Sequence, residues 1–106
     1  MKSDALRGHL DALILATVER QPLHGYAIIE ALAARSGGEL DLPTGTVYPA
    51  LRRLESAGYL KSDWSDETGR RRRTYTLSRA GRRQLATQRE EWALFSKVVG
   101  SVLGPA

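Results

Sequence analysis

The hydrophobic pattern of this 106-residue chain changes period between Leu60 and Leu77, and no other feature restricts the fold as much. Leu60-Lys61-Ser62-Asp63-Trp64 alternates apolar and polar residues, and Thr74-Tyr75-Thr76-Leu77 does the same. A period of two is that of a half-buried strand. Ser65-Asp66-Glu67-Thr68-Gly69 between them is turn chemistry, so the segment predicts a hairpin. Tyr75 and Leu77 share one of its faces, leaving Arg72, Thr74 and Thr76 on the other.

Three helices are expected before the hairpin. Leu10, Leu13, Ile14, Thr17 and Val18 recur at one-faced helical spacing, and Pro22 stops that helix within a turn. His24-Gly25 opens a second helix, with Tyr26, Ile28, Ile29, Leu32 and Ala33 on its apolar face. Ser36-Gly37-Gly38 ends it, because paired glycines favour a left-handed C-cap. Leu40-Asp41-Leu42-Pro43 reads as an extended connector. The third helix then buries Val47, Ala50, Leu51 and Leu54 and turns Arg52, Arg53 and Ser56 outward, and Gly58 closes it. Thr44 is its expected side-chain N-cap. Pro49 is tolerated in a first turn, so regular helix is expected to begin about two or three residues before it.

Ser78 is the expected N-cap of a long last helix that reaches about Leu103, where Gly104-Pro105 ends it. Leu85, Trp92 and Val99 form one heptad column and Phe95 and Val102 the other, interrupted by Gln88. A seam of period seven on so long a helix is more than one small domain needs to cover, which points to a second copy of the chain. The order helix, helix, helix, hairpin, long helix is mainly α (α+β). It matches a winged helix-turn-helix: three helices, a two-stranded β-hairpin wing and a long C-terminal dimerisation helix. Residues 1–78 are expected to form the DNA-binding domain and residues 79–106 the dimerisation helix of one continuous unit.

Composition agrees with a single globular domain: 42% hydrophobic and 26% charged residues are not those of a disordered chain. Sixteen Lys+Arg against twelve Asp+Glu leave a net charge of +4, which suggests an acidic partner, nucleic acid first. The surplus is local. Residues 70–83 hold seven arginines and no acid, whereas Asp63, Asp66 and Glu67 stand just before them. The absence of cysteine excludes a disulfide framework, a thiolate nucleophile and Cys-ligated zinc. The apolar run Ala12 to Val18 is far too short to span a bilayer, and Met1-Lys2-Ser3-Asp4 lacks the apolar core of a signal peptide. A cytoplasmic chain with no membrane contact is therefore expected.

In such an arrangement the third helix is the recognition helix. Thr46, Tyr48, Arg52 and Arg53 near its N-terminal end offer hydroxyls and guanidiniums to phosphates or base edges, although two arginines also suit a plain solvated face. Arg70, Arg71, Arg72 and Arg73 enter the wing's second strand from the turn. Alternation sends neighbours to opposite faces, so about two or three can reach one phosphate backbone; the same run would also guard an edge strand. Arg79, Arg82 and Arg83 extend the positive charge into the last helix. Trp64 is expected to cover the core from the hairpin. Trp92 and Phe95 are expected to pack against the domain or a partner helix, and two copies of Trp92 across a two-fold axis would form walls for a small flat effector. His9 and His24, the only histidines, are not spaced as a metal pair; His9 is expected at the surface and His24 at a helix start or in packing. No phosphate loop, paired-carboxylate site or nucleophile–base arrangement stands out, so neither catalysis, a metal nor a cofactor is expected.

The stretches Leu6-Arg7-Gly8-His9-Leu10-Asp11, Pro22-Leu23-His24-Gly25-Tyr26 and Gly45-Thr46-Val47-Tyr48-Pro49-Ala50-Leu51-Arg52-Arg53-Leu54-Glu55 together resemble the PadR family of bacterial transcriptional regulators. So do Gly58-Tyr59-Leu60, Gly69 to Tyr75 and Leu77-Ser78-Arg79-Ala80-Gly81. The resemblance spans nearly the whole chain in the family's order. It implies a homodimeric repressor of the small subfamily, with a single C-terminal helix that dimerises and double-stranded operator DNA as partner. It carries DNA contact most directly to Thr46, Tyr48, Pro49, Arg52 and the arginines near the wing tip. Some small members are released from DNA by aromatic or cationic drugs at the dimer interface, and Trp92 stands where such members carry an aromatic residue. The chain departs from the family at Pro43-Thr44, where Ser-Pro is usual, at Thr74, where an aromatic is frequent, and at Arg79, where an acid is frequent. Two other functions suit the residues: a sensor of flat aromatic compounds, and a winged helix that contacts RNA or an acidic protein.

Overall fold

Each amphipathic segment closes as a helix where its apolar spacing places it. The computed structural model describes residues 6, 8–66 and 69–105; Met1–Asp4, and Glu67 and Thr68 of the expected turn, lie outside them. The helices are α1 (Leu10–Val18), α2 (Gly25–Arg35), α3 (Thr44–Ser56) and α4 (Arg79–Leu103). The strands are β1 (Leu23–His24), β2 (Leu60–Ser65) and β3 (Arg72–Leu77). The architecture is an α+β winged helix, and its sheet has one strand more than the expected hairpin. β1 pairs with β3 antiparallel through Leu23 with Tyr75 and His24 with Thr74, giving the order β1-β3-β2.

The core lies where α1, α2 and α3 meet the sheet and the root of α4. Ile14, Leu15, Ile28, Val47, Leu51, Leu60 and Leu85 are its most deeply buried side chains. Each such aliphatic side chain contributes about 1.5–3 kcal/mol when removed from water. Tyr75 and Leu77 face this core from β3 as their alternation predicts. Burial, with Glu55 nearby, pushes the Tyr75 hydroxyl above its ordinary pKa.

Local chemistry sets the element ends. Gly58, at φ +84°, follows α3 in the left-handed region, where its N–H donates to Glu55 O and the next N–H, from Tyr59, donates to Leu54 O, each at 3.0 Å. That pair of bonds satisfies carbonyls the helix end would otherwise leave open. Ser78 caps α4 by accepting the Gly81 N–H at 3.0 Å while its hydroxyl donates to Gly58 O at 2.6 Å, so the two helix ends are joined. At Gly81 a side chain would strike the Tyr59 carbonyl and Leu77, which fixes how closely α4 approaches the turn after α3.

Four local expectations are corrected. Thr44 is not the N-cap: α3 begins at Thr44 itself, and Pro43 holds the cap position with no side-chain bond, its carbonyl accepting from the Thr46 and Val47 N–H groups. Pro49 accordingly lies inside α3, beyond the first turn, where it removes one intrahelical donor. Tyr26 does not join the apolar face of α2 but is 56% exposed. Trp64 does not cover the core: it stands at the outer end of β2, 55% exposed.

Helix α1 is pinned at both ends. Asp11 pairs with Arg53 of α3 at 2.5 Å, and Glu19 receives two bonds from the Arg89 guanidinium of α4, both at 2.9 Å. Those bonds from Arg89 draw the Glu19 carboxyl below its ordinary range, against a partial desolvation that raises it, and they raise Arg89 in turn. Beyond Arg89, α4 has little of its own chain to rest on. Trp92, Leu94, Phe95, Val98, Val102 and Leu103 are all exposed apolar residues. The helix is about 37 Å long at the α-helical rise, and the molecule measures 58 × 28 × 21 Å.

Candidate nucleic-acid interface

The third helix and the wing converge on one groove of about 660 Å³. Tyr48 and Arg52 enter it from α3, and Arg70, Arg72 and Arg73 from the wing. These residues come together because α3 exposes positions 48 and 52, one helical turn apart, while the β2–β3 hairpin turns its basic second strand toward that helix. Thr46 and Pro49 are exposed on α3 but do not line the groove. Arg53 points away, onto Asp11 of α1.

The four wing arginines differ in what holds them. Among the described residues no partner faces Arg70. Arg71 lies over the Trp64 ring, 4.8 Å from its centroid. Arg72 Nη1 stands 2.9 Å from His24 Nε2. Arg73 donates to Ser62 Oγ at 2.7 Å and to Glu55 Oε2 at 3.3 Å, and it also reaches the Trp64 ring at 5.4 Å. Glu55 further accepts the Ser62 hydroxyl at 2.6 Å. Arg73 is thus a brace between the wing and α3, whereas among the described residues no ion pair holds Arg70 or Arg52, and Glu30 lines the groove with them.

His24 and Tyr26 also line the groove, and sequence reasoning does not place either of them there. The signal is present in His24-Gly25-Tyr26, but helical spacing alone puts Tyr26 on the apolar face. His24 caps α2 by accepting the Ala27 N–H on Nδ1 at 3.2 Å. A neutral imidazole has one acceptor nitrogen, and a guanidinium only donates. His24 therefore either caps α2 or accepts from Arg72, not both at once. Gly25 between these residues is buried under the Tyr48 ring, which occupies the space a side chain would need.

A second groove, of about 840 Å³, opens between α1 and α4 and is largely apolar. Leu13, Leu85, Trp92 and Phe95 line it, with His9 at its rim. The His9 ring meets Trp92 edge-on at 5.4 Å, and Trp92 and Phe95 lie tilted at 6.0 Å. Gln88 Oε1 is buried beside them with no hydrogen-bond partner among the described residues. Of the expected seam, Leu85 is only 2% exposed and belongs to the chain's own core, Val99 is half-buried, and Trp92, Phe95 and Val102 are open. Among the described residues no helix is long and apolar enough to cross a membrane, and no three His, Cys, Asp or Glu residues cluster to hold a metal ion.

A helical unit that sets its third helix beside a basic antiparallel wing defines the winged-helix class of DNA-binding proteins. The profile of the Transcriptional regulator PadR-like family matches residues 14–87, and the chain belongs to that family. Its structure is similar to that of a transcriptional regulator from Clostridium thermocellum, with 31% identity, a TM-score of 0.87, and 94% of this chain and 98% of that one covered. A PadR family transcription regulator from Clostridium difficile is 37% identical, with a TM-score of 0.80 over 92% of this chain and 100% of its own. One from Eggerthella lenta is 32% identical, with a TM-score of 0.85 over 98% and 89%. The family is one of transcriptional regulators rather than enzymes, and membership implies DNA as partner.

Proposed function

We propose that the chain is a homodimeric, sequence-specific repressor that binds double-stranded DNA in the cytoplasm and is relieved by a small-molecule effector. The observation that carries this proposal is the groove into which α3 sends Tyr48 and Arg52 and the wing sends Arg70 and Arg72. In it the third helix enters the major groove, and the wing arginines grip the flanking phosphates. Thr46 and Pro49 reach the same duplex from the outer face of α3. Residues 1–78 act as the DNA-binding part and 79–106 as the dimerisation helix, with Trp92, Phe95, Val99 and Val102 meeting their copies and setting the half-site spacing.

Binding to a duplex from the DNA upstream of the protein's own gene, titrated against salt, tests this. The expected slope of log affinity on log salt is steeply negative. Arg70→Ala with Arg72→Ala should flatten it by about 0.9 for each phosphate that is no longer neutralised; an unchanged slope removes these two arginines from the interface. Equal affinity for random duplex and structured RNA would favour an RNA-binding role instead.

The apolar groove favours a second reading, capture of a flat aromatic compound as the protein's main task. Trp92 and Phe95 supply aromatic surface, and the Gln88 carbonyl oxygen lacks a donor among the described residues. Quenching of tryptophan emission by flat cationic compounds, with no duplex binding at any salt, would support it.

A further inference from the structure

Trp64 is the one large apolar side chain among the described sheet residues that remains more than half exposed. Its strand partner is Arg73, and the pairs behind it, Ser62 with Tyr75 and Leu60 with Leu77, run down into the core. Trp64 therefore sits on the core-facing side of the sheet but past the core's edge, one step outward from the Ser62–Glu55 contact with α3. Two guanidiniums rest on this single indole, from Arg71 at 4.8 Å and Arg73 at 5.4 Å. Glu55 balances Arg73, but among the described residues no acid lies within ion-pair distance of Arg71.

Two like charges drawn to one ring repel each other, and an anion placed against the uncompensated one relieves that repulsion. Beside that cation lies exposed apolar ring. A cation next to an apolar face matches the alternation of phosphate and deoxyribose along a duplex backbone, and the indole also removes rotamer freedom from a long side chain before any ligand arrives. We propose that Trp64 and Arg71 form a docking element for the DNA sugar–phosphate backbone, with Trp64 the positioning residue that holds Arg71 toward a phosphate. This rests on the chain being a duplex binder. A Trp64 that merely stiffens the hairpin would change stability and leave affinity alone.

A double-mutant cycle separates the two roles. Affinity for a duplex from upstream of the protein's own gene is measured for Trp64→Thr, Trp64→Leu, Arg71→Ala and each Trp64 change combined with Arg71→Ala, with thermal melts of every variant. Threonine and leucine both suit an exposed strand position, so one folded variant suffices. Each single change is expected to weaken binding about 3- to 10-fold, and the double no more than Arg71→Ala alone. Trp64→Phe, which keeps an aromatic face, should remain within about twofold of wild type. Wild-type affinity in the Trp64 variants, or effects that multiply in the double, overturns the proposal. If Arg52→Ala abolishes binding while the Trp64 variants bind normally, the duplex reading stands and this element falls. No salt-dependent duplex binding by the wild type overturns both.

Discussion

Gly25→Ala separates folding from DNA contact. A methyl group at residue 25 overlaps Tyr48 Cε1 and presses on Cδ1 and Cζ, each at 3.2 Å. The obstacle is the far end of a side chain that is itself 38% exposed, so the ring can swing outward without moving backbone. The stability terms oppose each other: alanine gains up to about 1 kcal/mol of helix propensity over glycine, less in a first turn, while displacing the ring forfeits about 1 kcal/mol of burial. The net change in unfolding free energy is expected within about 1 kcal/mol. Operator affinity responds differently, because the swing takes Tyr48 out of the groove it shares with Arg52. Removing an aromatic group of that kind from an interface costs about 1–2 kcal/mol per half-site, or about 5- to 30-fold. Urea denaturation and duplex titration on the same preparation read both quantities. A variant that loses more than about 2 kcal/mol of stability yet binds DNA normally would refute the reasoning and make Gly25 a packing residue only.

At Gly81 the same substitution should act on the fold. There the added methyl group meets the Tyr59 backbone carbonyl, which cannot rotate away, so overpacking of about 1–3 kcal/mol outweighs the helical gain of about 1 kcal/mol. A lower urea midpoint checks this, and a stabilised Gly81→Ala would show that α4 docks more loosely than its close approach to Tyr59 implies. Acid should weaken the Glu19–Arg89 tie. A carboxyl whose folded pKa is depressed stabilises the fold above its ordinary value of 4.5 and loses that contribution as pH falls through the lower, folded value. At this exposure the pair is worth at most about 1 kcal/mol. The melting-temperature gap between wild type and Glu19→Gln should therefore close between about pH 7 and about pH 3. A gap that persists in strong acid assigns the effect to something other than the ion pair.

The helices, and the ends fixed by local chemistry, were legible: the apolar spacing of α1 and α3, the left-handed Gly58 after α3, the Ser78 hydroxyl ahead of α4. The start of α3 was not, because Pro43 holds the cap position with its backbone carbonyl alone. Strand β1 was not, since two residues carry no alternation and Leu23–His24 becomes a strand only by pairing with Tyr75 and Thr74, about fifty residues on. Tyr26 misled for a related reason: helical spacing identifies a face but not where that face ends, and Tyr26 sits just beyond the core's reach. The basic groove was legible as a conjunction of α3 and wing, from element order and from the resemblance. The partition of its arginines was not. Alternation assigns Arg72 and Arg73 to opposite faces, but it says nothing of His24, Glu55 or Asp11, each of which takes up one guanidinium through a tertiary contact.

The uncovered outer end of α4 has a consequence in mass action. If the proposed dimer is joined through that helix, the apolar surface from Trp92 to Leu103 would leave water only when two chains meet, so its burial would depend on protein concentration. DNA binding by such a dimer through two half-sites would then vary with the square of the free monomer wherever the chain is scarce. Occupancy of an operator would rise steeply over a narrow range of expression, a threshold set by the C-terminal helix rather than by the surface that touches DNA.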